Sequence, residues 1–161
     1  MRKIVPDSSV MVPAFFPERL VVGGNDFDLS GRARPVAEAI GARNVEAFAP
    51  DMLLAEFLNT AAGKAFERSG SSTADPQDVI DQVLGFLSLR IIQVPAEQIS
   101  SVALDLIMSD RVSPPDSWFV ATAILTGAEL WYSHRHHDGI VEQAEKLLRD
   151  RVFVLTARKF G

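Results

Sequence analysis

The sequence predicts an α/β domain of three layers, with helices packed on both faces of a mainly parallel sheet. Three observations carry this. Short apolar runs alternate along the chain with stretches whose apolar residues recur at the helical period. Strands separated by helices need crossover connections, which make neighbouring strands parallel and cover both faces of the sheet. The third is size: 161 residues, 47% hydrophobic and 23% charged, suit one core and a single domain over residues 1–161, and exclude a disordered or low-complexity chain.

The elements follow in order. Ile4-Val5 in KIVPDSSV reads as a first strand ending at Asp7, and a short helix runs from Val10 to Phe16, where Pro17 stops it. The glycines and polar residues of GGNDFDLSG make 17–30 a surface loop. Ser30 caps a helix to about Arg43, and Val45 to Ala49 is a second strand. From Asp51 the spacing Leu53, Leu54, Phe57, Leu58, Ala61, Ala65 marks the clearest helix. Asp75-Pro76 opens another, with Val79, Ile80, Val83, Leu84 and Leu87 inward. Ile91 to Val94 is a strand. Pro95 opens the helix of Ile99, Val102, Ala103, Leu106 and Ile107, and Ser113-Pro114-Pro115-Asp116 opens the next, which Gly127 ends. Ala128 to Tyr132 is a central strand, Gly139 to Leu148 a helix, and Val152 to Leu155 a closing strand. In such sheets ligands bind beyond the carboxyl ends of the strands.

Charge and composition narrow the function. Sixteen basic against 21 acidic side chains give a net charge of −5, so no global positive field draws in nucleic acid and any such binding is local. Residues 131–161 are the basic part, with six Lys or Arg, four acids and all three His. With no cysteine there is no disulfide framework, thiolate metal site or cysteine nucleophile. Pro6, Asp7 and Pro13 interrupt the first apolar stretch, and 118–132 is too short and polar to span a bilayer. A soluble, cytoplasmic protein with no membrane partner is expected.

GxGxxG, Walker, HExxH and GxSxG motifs are missing; what the sequence offers is acids. Asp7 ends the first strand at the ligand-binding edge, although an Asp followed by Ser8 and Ser9 also suits a helix cap. Glu56 falls on the side of its helix away from the apolar stripe, beside Asn59, Thr60 and Gly63, which also describes a plain solvent face. Asp116 stands three residues after Ser113, a capping-box spacing. Carboxylates converging on one crevice are ionised at neutral pH and must bind a cation or repel one another. Mg²⁺, or Mn²⁺, suits oxygen donors of this kind. The run His134, Arg135, His136, His137, Asp138 lacks the donors to complete a tetrahedral zinc set and reads as a solvated loop, or as a phosphate contact through Arg135 and its neighbouring His. Trp118, Phe119 and Trp131 read as core.

Together, VPDSSVMVPAFFPE, APDMLLAEFLNTAAGKAFERSG and SPPDSWFVATAILTGAELWYS resemble the PIN-domain ribonucleases, in particular the toxin component of bacterial toxin–antitoxin pairs, over most of the chain. The resemblance implies a PIN-like fold, Mg²⁺- or Mn²⁺-dependent hydrolysis of RNA, a cognate antitoxin and a homodimer. It implies Asp7, Glu56 and Asp116 as catalytic metal-binding acids, with Ser9 and Asn59 as polar neighbours. The family's further acid would fall two residues after Ser133, where Arg135 stands; Asp138 is the nearest substitute. Ser133 and Arg135 become candidates for RNA contact. Pro115 replaces the family's common aromatic, and 17–45 is longer than in compact members. Two rivals follow: a PIN-like RNA-binding or scaffold protein without catalysis, and an aspartyl-phosphate phosphatase or receiver-like domain using Asp7 as nucleophile. Against the latter, Ser9 stands where a second Asp is wanted.

Overall fold

The computed structural model of the chain describes residues 1–68, 76–134 and 138–161. A five-stranded parallel sheet forms its middle layer, built from β1 (Arg2–Pro6), β4 (Val45–Pro50), β5 (Ile91–Val94), β6 (Glu129–Tyr132) and β7 (Val152–Val154) in the order β5-β4-β1-β6-β7. Among the described residues seven helices flank it: α1 (Ser8–Phe15), α2 (Leu29–Gly41), α3 (Met52–Arg68), α4 (Pro76–Arg90), α5 (Ala96–Asp110), α6 (Pro114–Thr126) and α7 (Asp138–Leu148). The architecture is the three-layer α/β/α sandwich expected from the alternation of strand and helix.

The order matters for function. From β1 the chain builds outward to β4 and β5 on one side, then returns to lay β6 and β7 on the other. Strand direction of growth therefore reverses at β1, and an open parallel sheet leaves a crevice at such a point, outside the carboxyl ends. The register Ile4↔Glu129, Val5↔Leu130, Pro6↔Trp131 sets the ends of β1 and β6 side by side. The Asp7 N–H continues the ladder by donating to the Trp131 carbonyl (2.9 Å).

Burial follows the strand pattern of a doubly covered sheet: Ile4, Val5, Leu130 and Trp131 have no exposed surface. Phe119 and Trp131 are core, as their settings suggest, and the Trp131 indole N–H donates to Glu129 (3.0 Å). Its ring stacks on Phe153 at 4.8 Å.

Two expectations are corrected. Residues 17–30 are not a plain loop: β2 (Arg19–Val22) and β3 (Asn25–Asp28) form an antiparallel hairpin. Gly23 and Gly24, at φ +56° and +79°, supply the two left-handed residues that a two-residue hairpin turn needs. Ser30 does not cap α2 either. Asp28 does, accepting the Gly31 N–H (2.9 Å). The buried Ser30 hydroxyl instead accepts the Glu18 N–H (2.6 Å) and donates to the Phe16 carbonyl (3.0 Å), fastening the root of the hairpin to α1.

Candidate active site

Beyond the ends of β1 and β6 lies a cleft of about 640 Å³. Asp7, Ser8 and Ser9 enter it from the start of α1, Glu56, Asn59 and Thr60 from α3, Asp116 from the first turn of α6, and Ser133 and His134 from the end of β6. Val12, Phe119 and Val141 give it an apolar wall. Asp7, Glu56 and Asp116, remote in sequence, thus share one cavity, as do Ser9, Asn59 and Ser133. No Lys or Arg is among the described residues that line it.

Each acid is held by the local fold. Asp7 is both the cap of α1 and a wall of the cleft: its carboxylate accepts the Ser9 N–H (2.8 Å) while it remains 9% exposed. Burial pushes its pKa up, helped by the negative charge of Asp116, against hydrogen bonds from Ser9 and Ser8 that pull it down. Glu56 is half-buried, on the face of α3 turned to the cleft rather than to open solvent. Desolvation raises its pKa first, then Asp7 and Asp116, while a hydrogen bond from the Ser8 hydroxyl lowers it. Asp116 is not half of a capping box. Ser113 makes no side-chain cap bond; its hydroxyl donates to the Asp116 carboxylate instead.

A second line of hydrogen bonds ties β6 to α1. The Ser133 N–H donates to Ser9 Oγ (3.2 Å), leaving the Ser9 hydroxyl proton for Asp7. Ser133 Oγ in turn pairs with His134 Nδ1 (2.6 Å).

Three carboxyl groups thus share one enclosure that no Lys or Arg lines among the described residues, and each raises the cost of ionising its neighbours. Among the described residues no three Asp, Glu or His side chains are placed so that together they could hold a metal ion; the three acids share an open chamber and do not form a coordination sphere.

Among solved structures the chain is similar to FitAB bound to the IR36 DNA fragment (TM-score 0.62, 13% identity, covering 98% of each chain). FitAcB from Neisseria gonorrhoeae gives a TM-score of 0.59 at 14% identity, over 96% of this chain and 99% of that one. PAE2754 from Pyrobaculum aerophilum gives 0.53 at 12%, over 98% and 91%. FitB is a PIN domain and PAE2754 is PIN-like. This is a PIN-like fold. No protein-family model and no curated protein matches the sequence, so the likeness is one of fold.

Within the cleft, some residues stand differently from their sequence expectation. His134 is not in a solvated loop: it is 6% exposed and lines the cavity. Ser133, 1% exposed, is a structural link as much as a candidate for RNA contact. Arg135 and the side chain of Asp138 lie outside the described residues; the backbone of Asp138 opens α7. Two basic residues of the C-terminal part are engaged in packing. Arg151 donates to the Ala123 and Ala128 carbonyls, and Arg158 lies over Phe153. Glu18 and Tyr132, not among the sequence candidates, also line the cleft, as does Ser8, which the sequence offered only in a helix-cap setting. Tyr132 carried a usable signal, because strand alternation puts it on the face opposite Trp131.

Proposed function

We propose that this PIN-like domain is an endoribonuclease that hydrolyses RNA phosphodiester bonds with Mg²⁺ or Mn²⁺, and that it is the toxin of a toxin–antitoxin pair. The observation that supports this most is the convergence of Asp7, Glu56 and Asp116 on one cleft at the switch point of the sheet. The donor set fits a divalent cation of this kind. Its atoms are hard carboxylate and hydroxyl oxygens, and its charges repel one another until a cation joins them. Magnesium keeps several waters and takes only one or two carboxylates directly, which suits an open chamber.

In this reading Asp7, Glu56 and Asp116 hold the cation, directly or through its waters, and Asp138 is the candidate for a further acid. When bound, the ion polarises water and offsets charge on the phosphate. The chain's own residues do the rest. Ser9 and Ser113 orient the Asp7 and Asp116 carboxylates, Ser8 orients Glu56, and the wall of Val12, Phe119 and Val141 limits water on one side. Asn59, Ser133 and Arg135 are the candidates for contact with RNA.

The likeness to FitB, the PIN domain of a Neisseria toxin–antitoxin pair, supports an antitoxin as partner; a homodimer acting in the cytoplasm belongs to the same reading. A second reading, an RNA-binding or scaffold protein without catalysis, is favoured by Arg135 in the slot of the family's further acid. Purified protein incubated with end-labelled single-stranded RNA separates the two. Cleavage that requires Mg²⁺ or Mn²⁺ and stops with EDTA supports the nuclease; RNA bound but intact under every condition supports the second reading.

A further inference from the structure

One polar group in the cleft has no task in the site as described. Tyr132, at the end of β6, is 5% exposed, and its hydroxyl has no hydrogen-bond partner among the described residues. A buried hydroxyl without a partner is costly, so its place needs a reason. The register supplies one. Pro6 pairs with Trp131, so the next step of the parallel ladder sets Asp7 beside Tyr132, with side chains on the same face. The phenol lies at the floor of the acid-lined cavity, in the field of both Asp7 and Asp116.

We propose that Tyr132 is a positioning residue whose phenolic O–H donates to the Asp7 carboxylate when a divalent cation enters the cleft and draws the acids inward. The inference rests on the metal-dependent reading above. Asp7 is the fitting acceptor because the register sets it beside Tyr132 on the same face, and a carboxylate, with about four lone-pair sites, can take a further donor beyond Ser9 and Ser8. Toward a carboxylate the phenol is the donor: burial, then Asp7 and Asp116, hold its pKa above the ordinary tyrosine value, so it keeps its proton. A donor behind a ligating carboxylate fixes its orientation, and loss of such a group typically weakens metal binding about 10–100-fold.

The test uses the full chain and needs no RNA. Tyr132 is the only tyrosine, so the tyrosine band in the near-ultraviolet difference spectrum reports on this hydroxyl alone, with Tyr132→Phe as the blank for the two tryptophans. Titration with spectroscopically silent Mg²⁺ is expected to give a saturable tyrosine difference in the wild type that Asp7→Asn abolishes. Calorimetry with Mn²⁺ is expected to show Tyr132→Phe binding about tenfold or more weakly, while its cation-free melting temperature is no lower than wild type, since no bond is lost. Equal Mn²⁺ affinity in Tyr132→Phe and wild type would overturn the inference and leave the metal reading standing. So would a lower cation-free melting temperature in the variant, which would mean that the hydroxyl already has a partner. No Mn²⁺ or Mg²⁺ binding by the wild type would overturn the metal reading, and the inference with it.

Discussion

At the scale of the residue, Asp7 has two roles that substitution can separate. As a cap it accepts the Ser9 N–H, which Asn does equally well. As a buried anion beside Asp116 it carries a charge that the fold resists. Asp7→Asn is therefore expected to leave the cation-free protein as stable as wild type, or more so, at neutral pH. The sign of the pH dependence follows from the raised pKa. The native state holds the Asp7 proton to higher pH than the unfolded chain does, so wild-type stability falls as pH rises from the ordinary value of 3.8 through the native pKa. Above that window the advantage of the variant is complete; below pH 3.8 it vanishes. Melting curves of both proteins across the acid range check this, and a variant less stable than wild type at neutral pH would contradict it.

At the scale of the element, the hairpin and its root are the part of the fold least legible beforehand. Gly23-Gly24 is a hairpin signal, but NDFD has one apolar residue and no alternation, so only its partner RLVV resembles a strand. The strand is held by pairing with its neighbour and by Ser30, neither of which leaves a pattern in a polar segment. Ser30→Ala is expected to cost about 1–3 kcal/mol by leaving the Glu18 N–H and Phe16 carbonyl without their partner, measured by urea unfolding. Faster hydrogen exchange at the Glu18 amide would place the loss at the root of the hairpin; an unchanged midpoint would contradict the role given to Ser30. By contrast, β4, β5, α5 and α6 were legible because periodicity, Pro at the helix start and Gly127 at the helix end agree. The acids were legible through their order along the chain. His134 was not, because its burial depends on Ser9 and Ser133 meeting across 124 positions of sequence.

At the scale of the molecule, the switch of strand order at β1 is what lets three elements far apart in sequence place acids in one cleft. On the proposed metal-dependent reading a cation would join α1, α3 and α6 in the native state alone, so it should stabilise the protein by about 1.4 kcal/mol for each tenfold rise in concentration above Kd. Thermal melts with increasing Mn²⁺ are expected to climb for the wild type and much less for Asp7→Asn. Equal shifts in the two would remove Asp7 from the site. The most direct measurement is the rate of RNA cleavage by wild type and Asp116→Asn at saturating Mg²⁺, with EDTA as control. Wild type is expected to cleave RNA in a reaction that EDTA abolishes, with a fall of about a hundredfold or more in the variant; cleavage by Asp116→Asn at the wild-type rate, or undiminished by EDTA, would contradict the metal-dependent nuclease.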